Sequence, residues 1–473
     1  MDIGSFDLDT EAYKGSIWRV GSTVVGFGST ILFARLLTAD AFGTYHLVLA
    51  VVTFLINIVT GWGVACKKRI SEDGFPVQDA FGSGILLIVI VTVISSVLFV
   101  LFQQLSGITI VSIEYLLPMA VLLISLSYFD FLEKILQTKA NFSISFRFTA
   151  IQTMVRSVIQ VTLVLVGLGI SGMLYGFVAA NLFMIVPMYR TLRISPRIPS
   201  FTAFEDILRF ATYSIFNKYA GSARFQASTV IAGTLLSSEA AGIYQVAFKL
   251  SNPIIIVATV LGAGLMPRIS YMESVDGEFV DSINKSLWIS SILGIPILFG
   301  AISIGPSVIT SIYGAEYYSG TPILVFLAGF WTLNGFNKQL FSVLNGVDKP
   351  ELNFKIKVFA LIIFIFGGFL LAPRYGLIGI VFTLVLSEGS LYLFSAFYVK
   401  QEMSAVRLLS KPIFEQVGAG ITMFAVLEGI KKLIISSGLI PTSVLIVVGG
   451  FVYFVVLFGI STEFRLSVLR TIN

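Results

Sequence analysis

Runs of about twenty mostly apolar residues recur along almost the whole chain, the length an α-helix needs to cross the hydrocarbon of a bilayer. Fourteen can be read, at approximately 16–37, 43–65, 80–103, 114–136, 147–168, 171–190, 207–236, 243–266, 287–312, 321–344, 356–373, 376–399, 413–435 and 442–461. They are continuously apolar rather than alternating, which predicts helices and not the strands of a membrane barrel. Composition agrees: 56% of the 473 residues are apolar and 12% charged, with a mean hydropathy of +0.92. Soluble domains carry about 25% charged residues, and so few charges could not keep the surfaces of a soluble chain of this length wet. A soluble enzyme, a disordered chain and a disulfide scaffold are thereby excluded. The segment before the first run, MDIGSFDLDTEAYKGS, is acidic and the run is long, so 16–37 is expected to be a retained span rather than a cleaved signal peptide.

What the sequence lacks narrows the chemistry. One cysteine, Cys66, and one histidine, His46, allow no disulfide within the chain and no Cys/His metal site. There is no P-loop, HExxH or CxxC, so no ATP-driven pump on this chain, no metal and no cofactor are expected. Gly26 and Gly28 in VVGFGST lie inside an apolar run and read as helix-packing residues, not as a dinucleotide loop. His46, near an outer interface, reads as structural. The net charge of +5 and pI near 9.1 come from basic residues spread over many short segments, which fits membrane topology better than nucleic acid.

Orientation follows from Lys and Arg near the span ends. Twenty fall on one side, among them Lys67, Lys68, Arg69, Arg190, Arg193, Arg197, Arg268, Lys285 and Lys349; four, Arg35, Arg374, Lys431 and Lys432, fall on the other. The richer side is expected to be cytoplasmic, with both termini inside and only short outer loops. Cys66 is then at the inner face and Tyr317 outside. Pro196 and Pro199 in RTLRISPRIPSFTAFED stop the sixth span from running into the seventh.

An internal repeat crosses this topology. STILFARLLTADAFGTY at 29–45 and STVIAGTLLSSEAAGIY at 228–244 align at an offset of 199, matching Ser29, Thr30, Leu36, Leu37, Ala41, Gly43 and Tyr45 to Ser228, Thr229, Leu235, Leu236, Ala240, Gly242 and Tyr244. A weaker echo gives Gly169, Gly172 and Asn181 the spacing of Gly376, Gly379 and Glu388. The repeat unit is six helices. Six is even, so both copies enter from the same side, as in transporters built from parallel repeats. The expected fold is all-α and integral to the membrane: two six-helix lobes related by a pseudo-twofold axis, residues 1–205 and 206–402, plus two extra helices in 403–473. Such a pair of bundles points to alternating access.

Seven cations lie within the spans: Arg19, Lys134, Arg156, Lys218, Arg224, Lys249 and Lys338; the acids there are Asp130, Glu133, Glu388 and Glu428. A charge at a helix centre costs roughly 2.5–3.5 kcal/mol on insertion scales, so these side chains are expected to face one another or a water-filled cavity. Asp130 and Lys134, four apart, are placed to pair along one helix face. Arg19 either lines the cavity or snorkels to the headgroups. Arg224 and Lys249 lead the candidates for a cationic, anion-binding cavity, followed by Lys218, Arg156 and Lys338. Glu388 and Asp130 are each a counter-ion or a coupling site. An excess of cations suits a phosphate or carboxylate substrate.

The chain resembles the polysaccharide transporter (Wzx-type) flippases of the multidrug/oligosaccharidyl-lipid/polysaccharide (MOP) exporter superfamily. The resemblance is carried by FARLLTADAFGTY with GWG at Gly61, LLSSEAAGIYQVAFKLS, LMPRIS at 265–270, IYGAEYYSGTPILVFLAG, Leu344-Asn345-Gly346 and APRYGLIGIVFTLVLSE. It implies the MATE-like fold of two lobes around a central cavity. It also implies translocation of a polyprenyl-(di)phosphate-linked oligosaccharide to the outer leaflet of a prokaryotic cell membrane, with glycan-assembly proteins as further partners. Many such relatives carry an acid where this chain has Ser228, which removes that acid as a coupling group here. A Na⁺- or H⁺-coupled drug or metabolite exporter of the same superfamily is the alternative, disfavoured by the cation excess. An integral membrane glycosyltransferase or polymerase is less favoured still, because no sizeable loop holds a pair of acids.

Overall fold

Backbone N–H and C=O groups find no water in hydrocarbon, so a chain this apolar must satisfy them within itself. The computed structural model describes residues 8–472 apart from 73, 140, 141, 276 and 433–437, and leaves undescribed the side chains of 8–17, 19, 20, 139, 142, 143 and 470–472. Every regular element among the described residues is helical. The chain divides into two compact units, Met1–Gly242 and Ile243–Asn473. The first holds α1 (Leu8–Leu36), α2 (Ala39–Ile70), α3 (Val77–Ser106), α4 (Leu116–Leu136), α5 (Phe142–Leu163), α6 (Gly169–Leu192), α7 (Phe201–Leu235) and the first turn of α8 (Ser238–Ser251). The second holds the rest of α8, then α9 (Ile255–Ser274), α10 (Val280–Ser290), α11 (Gly294–Ile312), α12 (Thr321–Gly346), α13 (Pro350–Glu402), α14 (Lys411–Lys431), α15 (Leu439–Ile460) and α16 (Thr462–Ile472).

Among the described residues nine stretches are long and apolar enough to cross a membrane. Two of them, Ile144–Leu192 and Pro350–Glu402, have 49 and 53 residues, more than twice what one crossing takes. Each is broken by a glycine in the same conformation: Gly169 at φ 49°, ψ −129° and Gly376 at φ 60°, ψ −141°. A positive φ with extended ψ is glycine territory, so the weaker sequence echo marks two turns of one kind. Twelve residues beyond each break, Asn181 and Glu388 are both fully buried. Two other expected spans are bent by local chemistry. The span at 243–266 is divided between α8 and α9 at Asn252–Ile254, where Pro253 cannot donate a helical hydrogen bond. The span at 287–312 is divided between α10 and α11, where Ser290 and Ser291 hydroxyls donate back to the carbonyls of Leu287 and Trp288.

In the first unit α7 lies antiparallel along α2. Leu47 meets Gly233, the Asn57 amide donates to Ser222 Oγ at 3.0 Å, Phe54 packs on Tyr219 and Gly61 receives Ile215. Further along, the Trp62 ring lies 5.0 Å from Phe204. At the other end the first turns of α2 and α8 touch through the glycines of the repeat. A Cβ at Gly43 would overlap the carbonyl oxygen of Ser238, and one at Gly242 would overlap that of Ala39. Ala39 and Ser238 are themselves repeat equivalents, so the contact is reciprocal, as across a local twofold axis. Of the other two motif glycines, Gly26 packs 3.8 Å from Thr153 on α5, while Gly28 has open space beside it and serves no close packing. The core of this unit gathers Trp62, Phe81, Phe131 and Met188; in the second unit Leu287, Trp288 and Leu340 form one cluster and Ile304, Met423 and Tyr453 another.

The connector between α6 and α7 is non-helical, as its prolines predict. It is clamped to the start of α3. Ser200 donates its N–H and its hydroxyl to Asp79 Oδ2 at 3.0 and 2.8 Å, and the Arg197 N–H donates to the Gln78 carbonyl. Ser200 is also the N-cap of α7, so one residue anchors the connector and starts the helix. Tyr317 lies in the turn between α11 and α12 and is fully buried there, whereas its neighbour Tyr318 is 60% exposed.

Placing a side chain in the reciprocal glycine contact should be costly. Gly43→Val and Gly242→Val are expected to lose roughly 1–3 kcal/mol of stability each, read as a lower unfolding temperature of the purified protein in detergent. Gly28→Val should leave it unchanged.

Candidate functional site

In the first unit the intramembrane acids Asp130 and Glu133 lie on α4, together with Lys134. Asp130 Oδ2 accepts from Thr60 Oγ1 of α2 at 2.7 Å, and Asp130 Oδ1 lies 3.6 Å from Lys134 Nζ, the pairing the four-residue spacing predicts. Lys134 is closer still to Glu133 Oε2, at 2.9 Å. The other oxygen of Glu133 accepts from Gln137 Nε2 and Ser145 Oγ, and Lys67 donates to Gln137 Oε1 at 3.4 Å. Asp130 is therefore one member of a partly buried network joining α2, α4 and α5. The network was only half visible in the sequence: the Asp130–Lys134 spacing is a helical signal, whereas Thr60, Gln137 and Ser145 join it only through packing.

Arg156 on α5 holds its guanidinium 4.4 Å from the centre of the Phe177 ring on α6, a cation–π geometry that offsets part of its lost hydration. One turn on, Gln160 donates to the Tyr45 hydroxyl at 3.0 Å and to the Met173 carbonyl at 2.6 Å. Arg224 is only 5% exposed on α7; its carbonyl accepts from Ser228 Oγ at 2.8 Å, so the residue standing where many resembling chains carry an acid is turned onto its own helix. Lys218, on the same helix, is exposed. The side chain of Arg19 lies outside the described residues.

In the second unit Lys338 of α12 donates to Thr259 Oγ1 of α9 at 2.7 Å. Beside it, Gln339 donates to the Ala258 carbonyl and Ser342 to that of Gly262. Glu388, fully buried on α13, receives the amides of Asn334 and Asn337 on Oε1 at 2.9 and 2.8 Å. Asn337 also reaches the Glu388 backbone carbonyl at 3.0 Å. The two asparagines, three apart and so on one face of α12, are a signal the sequence carried and composition hides. Lys249 is half-buried on α8. The structure thus brings Asp130 to Lys134, Lys338 to Thr259 and Glu388 to two amides. Arg224 and Lys218 share a helix, one buried and one exposed. Among the described residues no group of three or more His, Cys, Asp or Glu is placed to hold a metal ion.

Residues 32–322 match a family model described as "Polysaccharide biosynthesis protein". The chain belongs to that family. A Haloferax volcanii protein described as "Probable low-salt glycan biosynthesis flippase Agl15" is 22% identical over 466 residues, 94% of this chain and 95% of that protein. "Probable flippase AglR" of the same organism is 24% identical over 245 residues, so that this match spans about half of either chain, 51% of each. Among solved structures, the lipid II flippase MurJ in an inward closed conformation aligns with a TM-score of 0.80 at 15% identity, covering 94% of this chain and 98% of that one. An inward-facing multidrug resistance MATE transporter of the MOP superfamily aligns at 0.63 and 15%, covering 81% and 96%. The fold of this family member is accordingly that of the MOP transporters.

The hydrogen bonds at Glu388 make a graded prediction. Glu388→Gln keeps an oxygen for both asparagines and should unfold near the wild-type temperature. Asn337→Leu removes a donor from a buried carboxylate and should cost about 1–3 kcal/mol, seen as a lower unfolding temperature in detergent.

Proposed function

We propose that this protein is a flippase that moves a polyprenyl-(di)phosphate-linked oligosaccharide from the cytoplasmic to the outer leaflet by alternating access, for surface-glycan assembly. The observation that carries the reading is the near full-length similarity to a glycan biosynthesis flippase; the MurJ-like fold supports it. No bond in the substrate is made or broken, so the protein acts as a transporter and not as an enzyme. A phosphate leaving water needs a charge to offset its lost hydration, and Arg224 and Lys249 take that part, with Lys218, Arg156, Lys338 and Arg19 handing the anion on. Lobes 1–205 and 206–402 move as the two bodies of the cycle, with both termini in the cytoplasm of a prokaryotic cell. A cationic-drug exporter would need membrane acids open to its cargo. Here Asp130 already holds Thr60 and Lys134, and Glu388 holds two amides, which supports the anionic cargo.

Charge should matter more than shape at these positions. Arg224→Lys and Lys249→Arg are expected to keep partial export of the lipid-linked glycan in cells. Arg224→Glu and Lys249→Glu should abolish it with normal membrane insertion, and Lys432→Glu should be tolerated. Wild-type export in both Glu variants would sink the cationic assignment.

Orientation is tested separately. Because Tyr317 is buried, the outer probe is Tyr318→Cys in a Cys66→Ser background, which should react with an impermeant thiol reagent added to intact cells. Ser274→Cys in that background should be protected. The opposite pattern would reverse the topology.

A further inference from the structure

A second charged feature, with cations other than these candidates, lies in a groove of about 570 Å³ formed by α9 and α10. Both helices present the same stripe, spaced i, i+1, i+4, i+5, i+8: Val260, Leu261, Gly264, Leu265 and Arg268 from α9, and Asp281, Ser282, Lys285, Ser286 and Ile289 from α10. That spacing is one face of a helix. The stripes are graded along the groove. One end is walled by Val260, Leu261 and Ile289; Arg268 and Asp281 lie toward the other, where α9 ends and α10 begins, with Lys285 midway along the α10 stripe. Arg268 and Lys285 are exposed, and the sequence placed both among the cations of the basic face. Val260 is 70% exposed and Gly264 has nothing within 4 Å of where a Cβ would stand, so the apolar end is open to whatever surrounds the helices.

An apolar trough with a basic mouth at a helix end fits a molecule whose chain stays in hydrocarbon while its phosphate sits at the interface; basic pockets between membrane helices bind anionic lipid heads in this way. Two cations and one carboxylate leave one net positive charge, which matches the single negative charge of a phosphodiester and under-compensates a diphosphate. A glycan on a single polyprenyl phosphate is a phosphodiester too, but the lining offers a sugar few polar partners, Ser282 and Ser286 beside the charged residues, which favours a lipid of the bilayer. We infer that the α9–α10 groove is a binding site for an anionic phospholipid of the bilayer, its phosphodiester held by Arg268 and Lys285 and its chain lying along Val260, Leu261 and Ile289. The site is independent of the flippase reading.

The purified full-length protein in detergent, offered phosphatidylglycerol, phosphatidylcholine or a polyprenyl phosphate, reports bound lipid by native mass spectrometry. Wild type should retain phosphatidylglycerol over phosphatidylcholine by about tenfold or more, and Arg268→Gln/Lys285→Gln should remove that preference. Arg268→Lys/Lys285→Arg should restore it, and Lys411→Gln should leave it intact. Gly264→Leu adds a side chain into the trough at a position where a Cβ has open space and should lower phosphatidylglycerol binding with both cations in place, and the unfolding temperature without lipid confirms that each variant is folded. Unchanged phosphatidylglycerol binding in the double Gln variant and in Gly264→Leu would overturn the site. Stronger retention of the polyprenyl phosphate would overturn the occupant, and competition by inorganic phosphate at the lipid's own concentration would reduce the groove to a simple anion site.

Discussion

Hydrocarbon offers a polar group no partner, and each element of this structure answers that constraint in its own way. The backbone answers it by being helical throughout the described residues. Hydroxyl side chains answer it by bonding back one turn, as Ser228 does to Arg224 and Thr383 to Gly379. Side-chain amides answer it by meeting other helices: Gln152 donates to Asn181 and Asn181 to Ser125, so three helices of the first unit share one buried chain of hydrogen bonds. Charged groups are hardest to satisfy, and the solutions differ. Asp130 and Glu133 share the ammonium of Lys134, Arg156 leans on an aromatic face, and Glu388 is wrapped in amide donors.

Close approach of helices is the second consequence. Lipid chains are as apolar as leucine, so membrane helices gain little from burying apolar surface and rely on close contact through small residues. The repeat glycines do this twice over, at Gly43 and Gly242, where backbone meets backbone with no room for a methyl group. Because the contact is reciprocal, a single substitution acts on one side of a symmetric junction, and the motif has reason to persist in both copies. The long α2–α7 pairing continues from that junction through Leu47, Asn57 and Gly61, which fixes the face on which Arg224 is buried.

Functionally, the charges fall into two groups. Arg224, Lys249 and Lys338 are buried or half-buried cations on α7, α8 and α12, the ones proposed above to offset the charge of an anionic cargo. Arg268 and Lys285 line the groove between α9 and α10 beside its apolar residues, the site inferred for a resident lipid.

Much of this was legible in the sequence because hydropathy and helical spacing are local. Apolar run length gave the helices, the offset of 199 gave the paired motifs, and the four-residue step from Asp130 to Lys134 gave their ion pair. The glycine echo at Gly169 and Gly376 proved to be a shared backbone conformation, since only glycine adopts it without strain. Other features depend on which residues distant in sequence are packed together, and no local pattern encodes that. The tertiary structure alone brought Thr60 to Asp130, Asn334 and Asn337 to Glu388, and Ser200 to Asp79. It alone buried Tyr317 while exposing Tyr318, and it alone set α9 beside α10 so that two unremarkable basic residues face one groove. The sequence determined that this chain is a set of membrane helices in a repeated order; three-dimensional packing decided which partners its few charges meet within the protein, because that depends on neighbours that only the fold supplies.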